Sequence, residues 1–211
     1  MALSDFQRAL SEMTVYPSLA ARVRAEGDSP LAAYNLTPLE RARLVAVARD
    51  PGMDLNCTLA RGNRFGPILD VLPLTCTLIK PWLRELLNEL WRTNRPDNYQ
   101  LAGEEHAFTG FLQAKLASGE FSHPYLAEIL EYEIACWNLV QTLRYTAEDE
   151  SPHHPEPFCF VQFTHDPAAL LPPLESGTLP PADLPSSHYP VRVTLRGDTI
   201  VVEHETALDA R

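Results

Sequence analysis

The sequence predicts a mainly α protein: a multi-helix bundle followed by a small α+β C-terminal module of one strand, a short helix and a β-hairpin. Three observations carry this. Apolar residues recur at helical spacing from the N-terminus to about residue 145, between breaks rich in proline and glycine. An acidic segment with three prolines follows at 147–157. Beyond it, alternating bulky residues and a central Arg196-Gly197-Asp198 replace the helical period with a strand period. The expected organisation is therefore a bundle over 1–146, a linker over 147–157 and a strand-containing module over 158–211.

Each element has a local cause. Ser4 is placed to cap a first helix running through Met13, and a second runs from about Pro17 to Glu26. Ser29-Pro30 opens a short helix ending near Asn35. Thr37-Pro38-Leu39-Glu40 is a start signal, with Thr37 as N-cap, Pro38 in the first turn and Glu40 at the capping-box position. That helix is expected to run to Arg49 and to stop at Asp50-Pro51-Gly52. From Asp54 to Leu72 a longer helix would bury Leu55, Leu59, Phe65, Leu69 and Leu72. Pro73 ends or kinks it, and a short segment carries Leu74 to Ile79.

Pro81 opens the next helix, striped by Leu83, Leu86, Leu87, Leu90 and Trp91, and residues 94–98 form a turn. Residues 101–117 are expected to be helical with Phe108, Phe111 and Leu112 inward, closed by Gly119. The last long helix spans about Pro124 to Tyr145. In the C-terminal module Phe158–Thr164 reads as a strand with Phe158, Phe160 and Phe163 as its bulky positions. Asp166-Pro167 caps a helix to about Leu174, and a proline-rich loop covers 172–185. Tyr189–Leu195 and Thr199–Glu205 flank the hairpin turn.

Charge narrows the function. The net charge is −11, and residues 146–211 hold 11 acidic against 3 basic side chains. Phosphate backbones would repel such a chain, so no nucleic-acid partner is expected, whereas a positively charged partner is favoured near the C-terminal module. The N-terminus lacks a charged-then-apolar signal pattern, and no apolar run reaches the length of a membrane span. A cytoplasmic protein with no membrane partner is expected. Cys57, Cys76, Cys136 and Cys159 form no C-x-x-C and sit in apolar stretches, which points to free buried thiols.

Catalytic motifs are lacking. A di-iron bundle needs two E-x-x-H pairs and two further carboxylates, and only Glu120-Phe121-Ser122-His123 occurs, across the break after Gly119. His153-His154 falls in the linker with no ligand set at defined spacing. There is no G-x-S-x-G and no phosphate-binding glycine loop. No catalytic residue, metal ligand or cofactor is assigned. The polar candidates for binding or structure are Arg61, Asn63, Arg64, Glu104, His106 and Glu133. Glu133 is the most informative, because it interrupts the apolar stripe of Leu126, Ile129, Leu130, Trp137, Val140 and Leu143. A carboxylate buried there needs a partner, and Arg61 or Arg64 is the expected one.

Three stretches carry a family resemblance: ARGNRFGPILDVLPLTCTLI (60–79), NRPDNYQLAGEEHAFTGFL (94–112) and PYLAEILEYEIACWNL (124–139). Their succession resembles the helical helper subunits that partner multinuclear non-haem iron enzymes in peptide natural-product biosynthesis, as in methanobactin assembly. Arg61, Asn63, Phe108, Phe111, Leu112, Tyr125, Leu126 and Glu133 fall at matching positions. PFCFVQFTHDPAALLPPL (157–174) and VRVTLRGDTIVV (191–202) look like that family's small strand-containing module, while after the apolar segment of 60–79 Lys80 stands where the family's glycine is expected. The stretch at 17–46 resembles the small helical subunit of ring-opening extradiol dioxygenases, whose iron ligands belong to a larger chain.

Both resemblances imply a non-catalytic accessory subunit that binds a precursor or leader peptide and a partner metalloenzyme. An exposed strand edge in the C-terminal module could take the peptide, and the acidic surplus there would suit a basic one. The alternative is a small subunit or component of a non-haem iron oxygenase, its site assembled from Glu104, Glu105, His106, His123, Glu128 and Glu133. A self-contained interaction module is the third class.

Overall fold

The computed structural model describes residues 2–94, 103–146, 156–197 and 199–204, so the expected linker (but for its last two residues), most of the 94–98 turn, His153, His154 and Asp198 lie outside the described residues. It is mainly helical, with a three-stranded antiparallel sheet near the C-terminus, as the sequence predicts. The chain divides into two compact units, Met1–Pro67 with Glu89–Glu104, and Ile68–Asn88 with Glu105–Arg211.

The first unit is built on α1 (Ala2–Val15), α2 (Pro17–Glu26), a 3-10 turn (Ser29–Leu31), α3 (Pro38–Arg49) and α4 (Pro51–Val71) as far as Pro67. Its core gathers Ala9, Met13, Val23, Leu31, Leu44, Ala48, Met53 and Cys57. The capping box at α3 is complete: Thr37 Oγ1 accepts the Glu40 N–H at 3.3 Å and the Glu40 carboxylate accepts the Thr37 N–H at 2.8 Å.

Three expectations need correction here. α1 begins at Ala2, so Ser4 lies inside it and does not cap it. α3 stops after Arg49 at Asp50-Pro51-Gly52 as expected, but the next helix starts within that same break and not at Asp54. Asp50 Oδ1 accepts the Gly52 N–H at 2.7 Å, and α4 begins at Pro51, where proline's missing N–H costs nothing. The buried face of α4 also differs from the expected one. Met53, Cys57, Arg64, Ile68 and Leu72 (just past the helix end) turn inward, whereas Leu55, Leu59 and Leu69 are 60%, 55% and 45% exposed. Period counting placed the leucines together correctly but on the wrong side, because Arg64 occupies the centre of the buried face.

The second unit holds α5 (Pro73–Leu78), α6 (Leu83–Thr93) as far as Asn88, α7 (Glu104–Ser118) past its first residue and α8 (Leu126–Thr146). It also holds β1 (Phe158–His165), α9 (Pro167–Glu175), β2 (Ser186–Arg196) and β3 (Thr199–His204), so the strands and these helices form one unit. Gly119, at φ +73°, takes the left-handed conformation that ends α7. Phe108 and Leu112 of α7 are buried as expected, and Phe111 is half-buried.

The sheet order is β1-β2-β3. Val161, Phe163, Val191, Val193 and Leu195 form its buried face, where Phe163 meets Tyr132 of α8 at 5.7 Å between ring centroids. The pairings Phe158↔Thr194, Phe160↔Arg192 and Gln162↔Pro190 put these residues on the other face, where Thr194 is nonetheless buried. Phe158 and Phe160 are therefore outward, at 47% and 57% exposure, and only Phe163 of the three phenylalanines belongs to the core. Among the described residues no helix is long and apolar enough to cross a membrane.

Candidate functional site

The buried polar groups form separate networks. In the first unit Arg64, 1% exposed, donates from Nε to Glu104 Oε1 at 2.6 Å and from Nη2 to the Asn94 carbonyl at 3.4 Å. The Trp91 indole N–H donates to the other Glu104 oxygen at 3.1 Å, and the Arg64 guanidinium lies 4.9 Å over the same indole. Both carboxylate oxygens are thus bound, which is what keeps an ion pair tolerable away from water. Arg61 stacks on Trp91 at 5.6 Å, Asn63 is exposed on α4, and His106 is exposed on α7.

Glu133 is buried as expected, but its partner is neither Arg61 nor Arg64. Its two oxygens accept the backbone N–H groups of Leu74 and Thr75 at 2.6 and 2.8 Å, the first free donors of α5. Arg64 instead pairs with Glu104, a pairing the sequence reading did not anticipate. Leu72 and Pro73 supply no side-chain acceptor at the start of α5, so a carboxylate reaching in from α8 takes that role. Burial pushes the Glu133 carboxyl up to about 7, against the N–H bonds that favour its charged form.

Glu128 and His165 were missed by the sequence reasoning as a pair. Glu128 Oε2 accepts the Thr164 N–H at 2.8 Å, the Thr164 hydroxyl at 3.1 Å and the His165 N–H at 3.1 Å. Its Oε1 meets His165 Nδ1 at 2.5 Å, and the His165 ring stands edge-on to Tyr125 at 4.8 Å. The Tyr125 hydroxyl donates to the carbonyls of Pro181 and Ala182 and accepts the Leu184 N–H. The available clue was the strand end at His165-Asp166-Pro167, whose N–H groups need acceptors.

Four of the six residues proposed for an oxygenase site are engaged elsewhere or face solvent, while His123 stands edge-on to Tyr125 at 5.9 Å, the ring that His165 also meets. Glu104 faces Arg64, Glu128 faces His165, Glu133 faces α5 and His106 faces solvent. Among the described residues no group of three or more His, Cys, Asp or Glu side chains could hold a metal ion. All four cysteines are free, and burial pushes the thiols of Cys76 and Cys136 up to about 12.

What faces outward with a defined geometry is β1. Leu195 N–H donates to the Pro157 carbonyl, so the pair 157/195 is a hydrogen-bonded one. Antiparallel pairing alternates, hence Cys159, Val161 and Phe163 bond to β2 while Phe158, Phe160 and Gln162 aim their main-chain groups at the opposite edge. Thr164 has the same parity, and its N–H is the one taken by Glu128. Among the described residues no strand pairs with that edge. Phe158 and Phe160 meet edge-to-face at 5.7 Å beside it, and the Arg192 guanidinium lies 4.0 Å over the Phe158 ring.

No protein family, curated protein or solved structure matches this chain.

Proposed function

We propose that this chain is a cytoplasmic, non-catalytic accessory subunit that holds an extended precursor or leader peptide for a partner metalloenzyme in the modification of a peptide natural product. The observation that carries the peptide-binding half is the outer edge of β1. Main-chain donors and acceptors of Phe158, Phe160 and Gln162 point the same way along it, with two exposed aromatic rings beside them. An extended peptide adding there gains backbone hydrogen bonds for affinity, and its alternate side chains meet the rings for selectivity. The 11 acidic against 3 basic side chains in 146–211 favour a basic peptide and disfavour nucleic acid.

Support for an accessory rather than catalytic role is that the buried carboxylates at 104, 128 and 133 are each engaged by donors of this chain itself. The metalloenzyme partner rests on the resemblance of 60–79, 94–112 and 124–139 to helper subunits. Four unpaired thiols suit a reducing compartment.

The test is affinity capture of the tagged full chain from its native host, with co-purifying proteins and peptides identified by mass spectrometry. Wild type is expected to bring down a short precursor peptide and an iron enzyme. Phe160→Pro deletes an N–H that faces away from β2, so the sheet should persist while the peptide is lost. Recovery of the chain alone, or a Phe160→Pro chain that keeps the peptide, refutes the proposal.

A further inference from the structure

The open edge of β1 is bounded at both ends. Phe158, Phe160 and Gln162 aim their N–H groups and carbonyls at it, while the alternate residues are committed to β2. At one end the row stops at Glu128, whose carboxylate takes the Thr164 N–H, the next donor in line. At the other end the strand starts at Phe158, directly after Pro157, which has no N–H. The free stretch therefore faces about five residues of an extended chain.

Its two flanks differ in chemistry. On the outer face stand Phe158 and Phe160, and the Arg192 guanidinium already lies over the Phe158 ring. On the inner face lies α8. Glu128 shows that this helix reaches the open edge, because the Thr164 N–H it accepts points that way. Glu131, one turn further along α8, is exposed and continues the flank that Glu128 begins. No cation among the described residues pairs with it.

Resting on the peptide-holding role proposed above, we infer that this edge selects an extended segment of about five residues, antiparallel to β1, with a basic residue second and apolar or aromatic residues third and fifth. Antiparallel addition continues an all-antiparallel sheet and gives the slightly more stable ladder. It sets the first, third and fifth residues opposite Gln162, Phe160 and Phe158. There their main-chain groups pair with the edge, and their side chains share its outer face. The third and fifth thus each lie beside a phenylalanine ring. The second and fourth fall opposite Val161 and Cys159 and turn toward α8. The second sits at the Gln162 end, on the flank that carries Glu131, so a cation is favoured there. A second copy of this edge is a poorer occupant: Phe158–Gln162 holds no basic residue, and two chains of charge −11 repel.

The probe is the synthetic peptide acetyl-Ser-Arg-Phe-Ser-Phe-amide, titrated by calorimetry into the full chain, with light scattering on the chain alone. N-methylation of its first, third or fifth residue should weaken binding about tenfold or more, because a ladder N–H is lost, whereas the second and fourth should tolerate it. Replacing the probe's arginine by glutamate should weaken binding about fivefold, and Glu131→Gln should erase that difference without moving the melting temperature. Phe160→Pro should bind no probe. A methylation scan without alternation, or an arginine preference that survives Glu131→Gln, overturns the inference but leaves the peptide-holding role standing if Phe160→Pro still abolishes binding. A wild-type chain that ignores the probe yet captures a precursor peptide from its host likewise overturns the specificity alone. One that does neither overturns both. A dimer that Phe160→Pro disperses would place a second copy on the edge and overturn the inference as well.

Discussion

Glu133→Gln should make the protein less stable than wild type at pH 5 and more stable at pH 8. In wild type, burial raises the carboxyl to about 7 from an ordinary 4.5. A carboxyl raised on folding stabilises most below its unfolded value and loses that contribution as the pH climbs through the folded one. Between those two values each pH unit removes about 1.4 kcal/mol, so about 3 kcal/mol is lost by pH 7 and remains lost above it. Glutamine does not titrate. It matches one N–H of the Leu74–Thr75 pair with its carbonyl but turns an amide N–H toward the other, a pH-independent loss of about 1–2 kcal/mol. The two stability curves should therefore cross near pH 6. Urea unfolding at fixed protein concentration and several pH values between 5 and 8 reads the difference directly, because all other titrating groups cancel. If the variant tracks wild type in parallel across that range, the charged form is not disfavoured by burial. A gap that widens with pH would mean the two N–H bonds dominate, and the reasoning would be refuted.

Other perturbations separate the remaining networks. Arg64→Met leaves Glu104 buried without its cation and should cost about 3–5 kcal/mol, whereas pairing it with Glu104→Leu should restore much of that in thermal melts. Glu128→Gln should open the end of β1. Amide exchange at Thr164 and His165 is expected to rise about 10–100-fold, with the β2–β3 amides unchanged, for a loss of about 1.4–2.7 kcal/mol at charge-assisted bonds. Cys76 and Cys136, whose thiols are pushed up to about 12, should resist thiol reagents at neutral pH in the native state and react at once in denaturant. Rapid native labelling of Cys76 would contradict its burial.

The class of fold, the helix starts at Pro17 and Pro38, the break at Pro73 and the hairpin were legible in the sequence, because each follows from local chemistry: caps, prolines and side-chain period. The burial of Glu133 was legible for the same reason, since its position within an apolar stripe is a property of one helix. Its partner was not. The N–H groups of Leu74 and Thr75 lie 59 and 58 residues away, and a backbone donor leaves no mark in residue type. Arg64 shows the complementary limit. Guanidinium groups are usually solvated, so period counting assigned the exposed leucines of α4 to the core, and only Glu104 and Trp91 arriving from elsewhere make an arginine the better buried residue. The strand at 158–165 was visible as alternation, but which face and which edge stayed open depended on its register with β2. Local chemistry thus determined where elements begin, end and change period. Tertiary structure decided which buried charges meet and which apolar faces stay outward, because those depend on groups that the chain brings together only on folding.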